Sequence, residues 1–195
     1  MTGSANRPEL LCPAGSIPSL EAALEGGADA VYLGGSSFNA RAHAQNFDAA
    51  QLREAVRLSH ARGVRVYLTL NTLVTDRELP EFLRAAADAA RAGVDALIVA
   101  DVGGAEALRR VMPSMELHAS TQMSGHNLAM AKDLCTRGLT RMVVAREISR
   151  ENLKTLLAKS PIETELFVHG ALCVCHSGQC LFSSLVGGRS GNRGE

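Results

Sequence analysis

One pattern recurs along the chain. A short apolar run rich in β-branched residues gives way to a polar loop, and then to an amphipathic stretch rich in Ala, Leu, Arg and Glu. Short apolar runs bounded by turn residues read as buried strands, and apolar positions at helical spacing read as helices packed on one face. The pattern predicts strands over 9–13, 30–33, 64–71, 96–101, 116–120, 141–146 and 163–168. It predicts helices over 19–25, 49–62, 78–92, 104–111, 125–136 and 150–159. Gly27, Gly63, Gly93 and Gly138 follow four of these helices, where a left-handed cap is needed. Asp48 and Ser149 are suited to N-capping the helices they precede.

Strands alternating with helices imply parallel β-α-β units, and their near-continuous apolar character implies a sheet covered on both faces. A doubly wound sheet and a (β/α)8 TIM-type barrel both fit. The regular unit length favours the barrel, and no Gly-x-Gly-x-x-Gly follows the first strand. Polar residues crowd the carboxyl ends of the strands: Asn71, Asp101, Ser120-Thr121-Gln122 and Arg146-Glu147. Barrel enzymes build their sites there. Seven strands are found, and only residues 171–195 follow Gly170. The expectation is a single incomplete barrel domain over 1–195, truncated after about seven units. Its cysteine- and glycine-rich segment 171–195 would lead into a further C-terminal part.

Composition narrows the class. Apolar residues make up 46% and charged residues 21%, with 20 Lys+Arg balancing 20 Asp+Glu. This excludes a disordered chain, a collagen and a sustained coiled coil. No apolar run approaches the roughly 20 residues that span a bilayer. The first eight residues do not resemble a secretion signal, so the expected compartment is the cytoplasm, with no membrane partner. Zero net charge supplies no electrostatic argument for nucleic acid. Of the five cysteines, Cys173, Cys175 and Cys180 fall within eight residues. Without a secretion signal, such clustering reads as metal or redox chemistry rather than a disulfide framework.

Several side chains are candidates for chemistry. Cys173 and Cys180 can converge on one ion or cluster if Gly178 turns the backbone, since thiolates suit zinc and iron–sulfur groups. The plain alternative is small residues packed in a loop. Glu165 and His169 share a face by strand alternation and form an acid–base-capable pair, or else a structural ion pair. His118 and Ser120 share a face, with Thr121 and Gln122 following; they can bind an oxygenated ligand or serve as strand-end and cap residues. In the loop 34–41, Arg41 can pair a carboxylate while backbone N–H groups cradle an anion. Asp101 and Glu147 are ligands or helix-capping carboxylates. Cys12 and Cys135 are expected to pack. No zinc-protease helix, Gly-x-Ser-x-Gly elbow or phosphate loop is present.

These residues assembled, the chain resembles the collagenase-like peptidase family U32. The resemblance rests on Glu-Leu-Leu-Cys-Pro-Ala-Gly at 9–15, Ala-Asp-Ala-Val-Tyr-Leu-Gly-Gly at 28–35, Phe38-Asn39-Ala40-Arg41, Asn71, 118–122 and 145–147. Its most specific part is Glu-Leu-Phe-Val-His-Gly-Ala-Leu-Cys at 165–173, running on through Cys180 and Ser183 into the Gly/Arg tail. The family was named for proteolysis, yet members also include oxygen-independent hydroxylases of a tRNA uridine or a 23S rRNA cytidine. Prephenate is implicated there as co-substrate; other members act in ubiquinone synthesis. The resemblance therefore implies RNA hydroxylation, with a four-iron four-sulfur (4Fe-4S) cluster on four cysteines. Cys173 and Cys180 match the first two ligands, and Cys175 matches none. Glu165, His169 and Glu147 become the catalytic candidates. Arg41, Asn71, His118, Ser120, Thr121, Gln122 and Arg146 become the candidates for binding substrate or a small carboxylate co-substrate. A peptidase and a non-catalytic cluster-binding subunit remain the alternatives.

Overall fold

Each strand runs parallel to the one before it. The computed structural model describes residues 7–40, 45–170, 173 and 175–187. Its strands are β1 (Leu11–Pro13), β2 (Ala30–Gly34), β3 (Arg65–Leu70), β4 (Ala96–Val99), β5 (Glu116–Ala119), β6 (Arg141–Val143) and β7 (Glu163–Glu165). They form one sheet in chain order. The helices between them are α1 (Ile17–Glu25), α2 (Ala49–His60), α3 (Leu79–Ala92), α4 (Val102–Val111), α5 (Leu128–Thr136) and α6 (Arg150–Lys159); a short α7 (Phe182–Gly187) follows.

The local signals explain the boundaries. Asp48 accepts from the N–H groups of Ala50 and Gln51, and Gln51 accepts from the Asp48 N–H in return, a reciprocal capping box. Ser149 caps α6 through the Asn152 N–H. Gly27, Gly63, Gly93 and Gly138 all take positive φ. Asp101 caps α4 by accepting from Gly104, so that helix begins at Val102 rather than 104. Asn127 caps α5, so that helix begins at Leu128 rather than 125, and a 3-10 turn (Thr121–Met123) follows β5 ahead of it. The last strand is shorter than expected. The final rung donates from Val144 N–H to the Glu165 carbonyl, and β6 provides no further partner. Leu166, Phe167 and Val168 lie outside the strand and are exposed.

The two faces of the strands differ. Val31, Leu33, Val66, Leu68, Leu97, Val99, Leu117 and Met142 face outward and join one core with Leu20, Leu52, Phe82, Leu108, Leu134 and Leu156 of the helices. Ala30, Tyr67, Ala96 and Ile98 form a separate inward cluster, with Leu11 and Tyr32 against it. The register sets Tyr67 beside Ala96, and Ala96 beside Glu116. Yet Tyr67 stacks edge-on against His118, two residues further along β5, at 4.8 Å between ring centroids. That offset is the strand tilt of a barrel. The same step leads from His118 through Arg141 and Glu163 to Glu165. Tyr67, His118 and Glu165 thus belong to one inward layer of odd-numbered strands. Ala30, Ala96 and Arg141, on even-numbered strands, form the next layer toward the amino ends.

Candidate functional site

Polar groups occupy both ends of the barrel interior. Toward the amino ends, Arg141 is 6% exposed and reaches Glu9 (2.7 Å), Glu163 (2.6 Å) and Glu165 (3.6 Å), with its guanidinium over the Tyr67 ring. Glu9 also pairs with Arg65 and accepts from the Tyr67 hydroxyl at 3.1 Å. His118 is fully buried, with Nε2 2.9 Å from Glu116 Oε1. Burial holds its imidazolium form down, against the pull of Glu116. The neutral ring then donates from Nε2, and Nδ1 is left as a buried acceptor without a partner. Burial likewise raises the Glu165 carboxyl above its ordinary range despite Arg141, and Glu165 Oε2 has no hydrogen-bond partner.

At the carboxyl ends, Asn71 accepts from the Ala40 N–H (3.0 Å) and donates to Ser120 Oγ (3.5 Å). Ser120 is buried and accepts from the Gln122 N–H; Thr121 donates to the Val144 carbonyl. Glu147, in the turn after β6, accepts from the Ser177 N–H (2.7 Å), the Ser177 hydroxyl (2.9 Å) and His176 Nδ1 (3.2 Å). Burial alone would raise its carboxyl. The Ser177 and His176 bonds outweigh that and pull it down to about 2. Arg146 donates from its backbone and from Nε to Ser177 Oγ, each at 3.3 Å.

The thiols lie beside this group. The Cys173 thiol is drawn down, first by a backbone hydrogen bond from Cys175 and then by the Arg146 charge. The Cys175 thiol is pushed up, first by its hydrogen bond with Cys180, then by desolvation and the neighbouring charges of Cys180 and Cys173. Cys175 thus interacts with both candidate ligands rather than standing apart from them. Among the described residues, no three His, Cys, Asp or Glu side chains are arranged to hold a metal ion. The donor chemistry fits part of a soft-metal or iron–sulfur ligand set.

The expected site residues therefore separate. Asn71, Ser120, Thr121 and Gln122 gather at the carboxyl ends, with Arg146, Glu147 and the cysteine segment beside them. His118 and Glu165 lie in the interior layer nearer the amino ends. The strand pairing of Glu165 with His169 does not form: the strand stops at Glu165, and His169 is exposed beyond it. Glu165 meets Arg141 instead. Arg41 lies outside the described residues. Cys12 packs against the core as expected, but Cys135 is exposed on α5. Sequence reasoning missed Glu9, Arg141, His176 and Ser177. An arginine opening an otherwise apolar strand was a usable signal for Arg141; Ser177 had only its place before a turn glycine.

Seven β/α units in one tilted parallel sheet, polar at the strand carboxyl ends, define a protein of the (β/α)-barrel class. The sequence profile of "Peptidase family U32" matches residues 15–195, and the chain belongs to that family. It is 42% identical, over 100% of its length and 29% of the relative's, to "23S rRNA 5-hydroxycytidine C2501 synthase" of Escherichia coli. It is 39% identical, over 96% of its length and 44% of the relative's, to "tRNA hydroxylation protein P1" of Bacillus subtilis. A Porphyromonas gingivalis protein named "Collagenase" is 34% identical, over 95% of this chain and 47% of that protein. The chain thus spans less than half the length of these relatives. Among solved structures, that of the U32 peptidase Mk0906 superposes with a TM-score of 0.70 at 15% identity, covering 85% of this chain and 70% of that one. At that identity the likeness shows the fold. No helix among the described residues is long and apolar enough to cross a membrane.

Proposed function

We propose that this chain is the barrel part of an oxygen-independent RNA hydroxylase acting on a tRNA or 23S rRNA base. The observation that carries the reading is the 42% identity, over the whole chain, to a protein named for 23S rRNA cytidine hydroxylation. The mouth is consistent with it. Asn71, Ser120 and Gln122 place neutral donors and acceptors where a small oxygenated co-substrate, a prephenate-type carboxylate, would be oriented. Arg41 is the proposed partner for its carboxylate. Arg146, which donates to Ser177 and acts on Cys173, serves the thiols first. The chain is charge-balanced, so the RNA-binding surface is proposed for a part of the whole protein outside the matched stretch.

Cys173 and Cys180 are the proposed ligands of a 4Fe-4S cluster, with the remaining ligands supplied from outside the described residues. When bound, such a group supplies one-electron transfer. The peptidase reading has the collagenase relative in its favour, but no nucleophile–base pair of the serine or cysteine protease kind stands among the described residues. The deciding experiment uses the longest natural form of the protein, purified without oxygen. Iron, acid-labile sulfide and a hydroxylated nucleoside that disappears from RNA when the gene is deleted are the expected results. Cys173→Ala and Cys180→Ala should abolish both iron and modification. Peptide cleavage that persists without iron, with RNA modification intact in the deletion, would overturn the reading.

A further inference from the structure

The segment that carries the clustered cysteines has one buried anchor. Among its residues whose burial is described, 173, 175–182 and 185–186, Ser177 alone is buried, and it is fully so. Both of its donors go to one carboxylate: its N–H to Glu147 Oε1 and its hydroxyl to Oε2. The Ser177 oxygen accepts in turn from the Arg146 backbone and Nε. Its carbonyl accepts from the Ser124 hydroxyl, and Gln179 donates back to Ser124. Gly178, at φ +74, lies so close to the Gln122 carbonyl that a Cβ there would collide with it. The loops after β5 and β6 are themselves joined by the Ala145 N–H to Gly125 carbonyl bond at 2.7 Å.

We infer that Glu147 and Ser177 form a latch docking the cysteine segment on the carboxyl-end rim, and that Glu147 is a positioning residue for the thiols. Three donors engage the Glu147 carboxylate, two on Oε1 and one on Oε2, so three of its roughly four acceptor sites are committed to holding the segment. A two-point carboxylate bond to a serine N–H and hydroxyl fixes the segment in both position and rotation. It acts three residues before Cys180 and four after Cys173, so both thiols are held over the rim before any metal arrives. The consequence for a cluster rests on the proposed iron–sulfur reading; the latch itself does not.

The test uses the 195-residue chain without metal. Hydrogen exchange at the Ser177 amide and alkylation rates at Cys173 and Cys180 are measured for Glu147→Ala, Glu147→Gln and Ser177→Ala. Glu147→Ala should speed exchange at Ser177 at least tenfold, a loss of about 1.4 kcal/mol, and should change the alkylation rates of both thiols. Glu147→Gln keeps a carbonyl oxygen for the Ser177 N–H but not the charge, and should recover part of the protection. Ser177→Ala, which keeps the N–H, should fall between them. Amides of β2 to β4 should not change in any variant. If Glu147→Ala leaves Ser177 exchange unchanged, or if the glutamine variant is as exposed as the alanine one, the latch is wrong. Should Glu147→Ala fail to fold, the serine and glutamine variants decide: equal wild-type protection in both would overturn the proposal. Iron content of the longest natural form is assayed separately, so absence of iron refutes the cluster reading without touching these rates.

Discussion

At the amino ends of the strands, charge is met by charge, on strand residues and on Glu9 just before β1; at the carboxyl ends, one carboxylate is met by the backbone and hydroxyl of a loop. Arg141 is buried among Glu9, Glu163 and Glu165, and Tyr67 closes over it. Glu147 instead receives neutral donors from Ser177, with His176 beside them. A buried ion cluster is costly to leave half-complete, because each remaining charge stays desolvated. A loop latch can open locally without exposing a core. The amino-end cluster therefore belongs to the stability of the barrel, and the carboxyl-end group to the placement of side chains that act.

Four outcomes would break or sharpen this contrast. The largest is expected at Arg141. Arg141→Met should cost about 3–5 kcal/mol in denaturant unfolding, because the Glu9 and Glu165 carboxylates lose their compensating charge. A loss below about 1 kcal/mol would show that the cluster is solvated and that the contrast fails.

The second outcome concerns acid. Glu147 has its carboxyl lowered to about 2 from an ordinary 4.5. A lowered acid stabilises the folded form fully above its unfolded value, and that contribution is lost as pH falls toward the folded value. Protection at Ser177 should therefore decline between about pH 4.5 and 2 in the wild type. In Glu147→Gln it should be flat over that window, by hydrogen exchange. Glu165 has the opposite sign. Its carboxyl is raised by burial, so the stability it contributes is fully present below the ordinary carboxyl range and lost as pH rises through its folded value. Glu165→Gln, which stays neutral, should lose less stability relative to wild type at pH 7 than at pH 4.

The third outcome is at His118, whose protonation burial disfavours. A depressed base stabilises above its unfolded value of 6.5, and the contribution falls away as pH drops through the folded value. His118→Phe should remove that part of the pH slope in thermal unfolding; an unchanged slope would mean that the ring takes up a proton as readily in the barrel as in the unfolded chain. The smallest effect is expected away from both ends. Asp48→Ala removes the cap of α2 and should cost about 1 kcal/mol, with no change in Ser177 exchange or thiol alkylation. A change there would mean the rim responds to any loss of stability.

Much of the fold was legible because its signals are local. The seven apolar runs, the glycines at positive φ and the caps at Asp48 and Ser149 act within a few residues of themselves. Asn71 and Ser120 were legible as strand-end residues for the same reason. The reach of β7 was not: whether Leu166 to Val168 remain strand depends on a partner, and β6 offers none beyond Val144. The roles of His118 and Glu165 were not legible either. Strand alternation places a side chain inside or outside, but its height in the barrel is set by a tilt that shifts neighbours two residues off the hydrogen-bonded register.

What the sequence by itself determined is the order of the elements, their parallel arrangement and the apolar outer face, because periodicity and capping are read over one helix turn or one strand. Only the tertiary structure decided which polar side chains meet. Glu9 and Arg141 lie 132 positions apart and become partners because the sheet curls. Ser177 finds Glu147 30 positions away because the loops after β5 and β6 form the rim that receives it. Neither pairing has a period or a local motif. Each joins donors and acceptors that are neighbours only in the folded barrel.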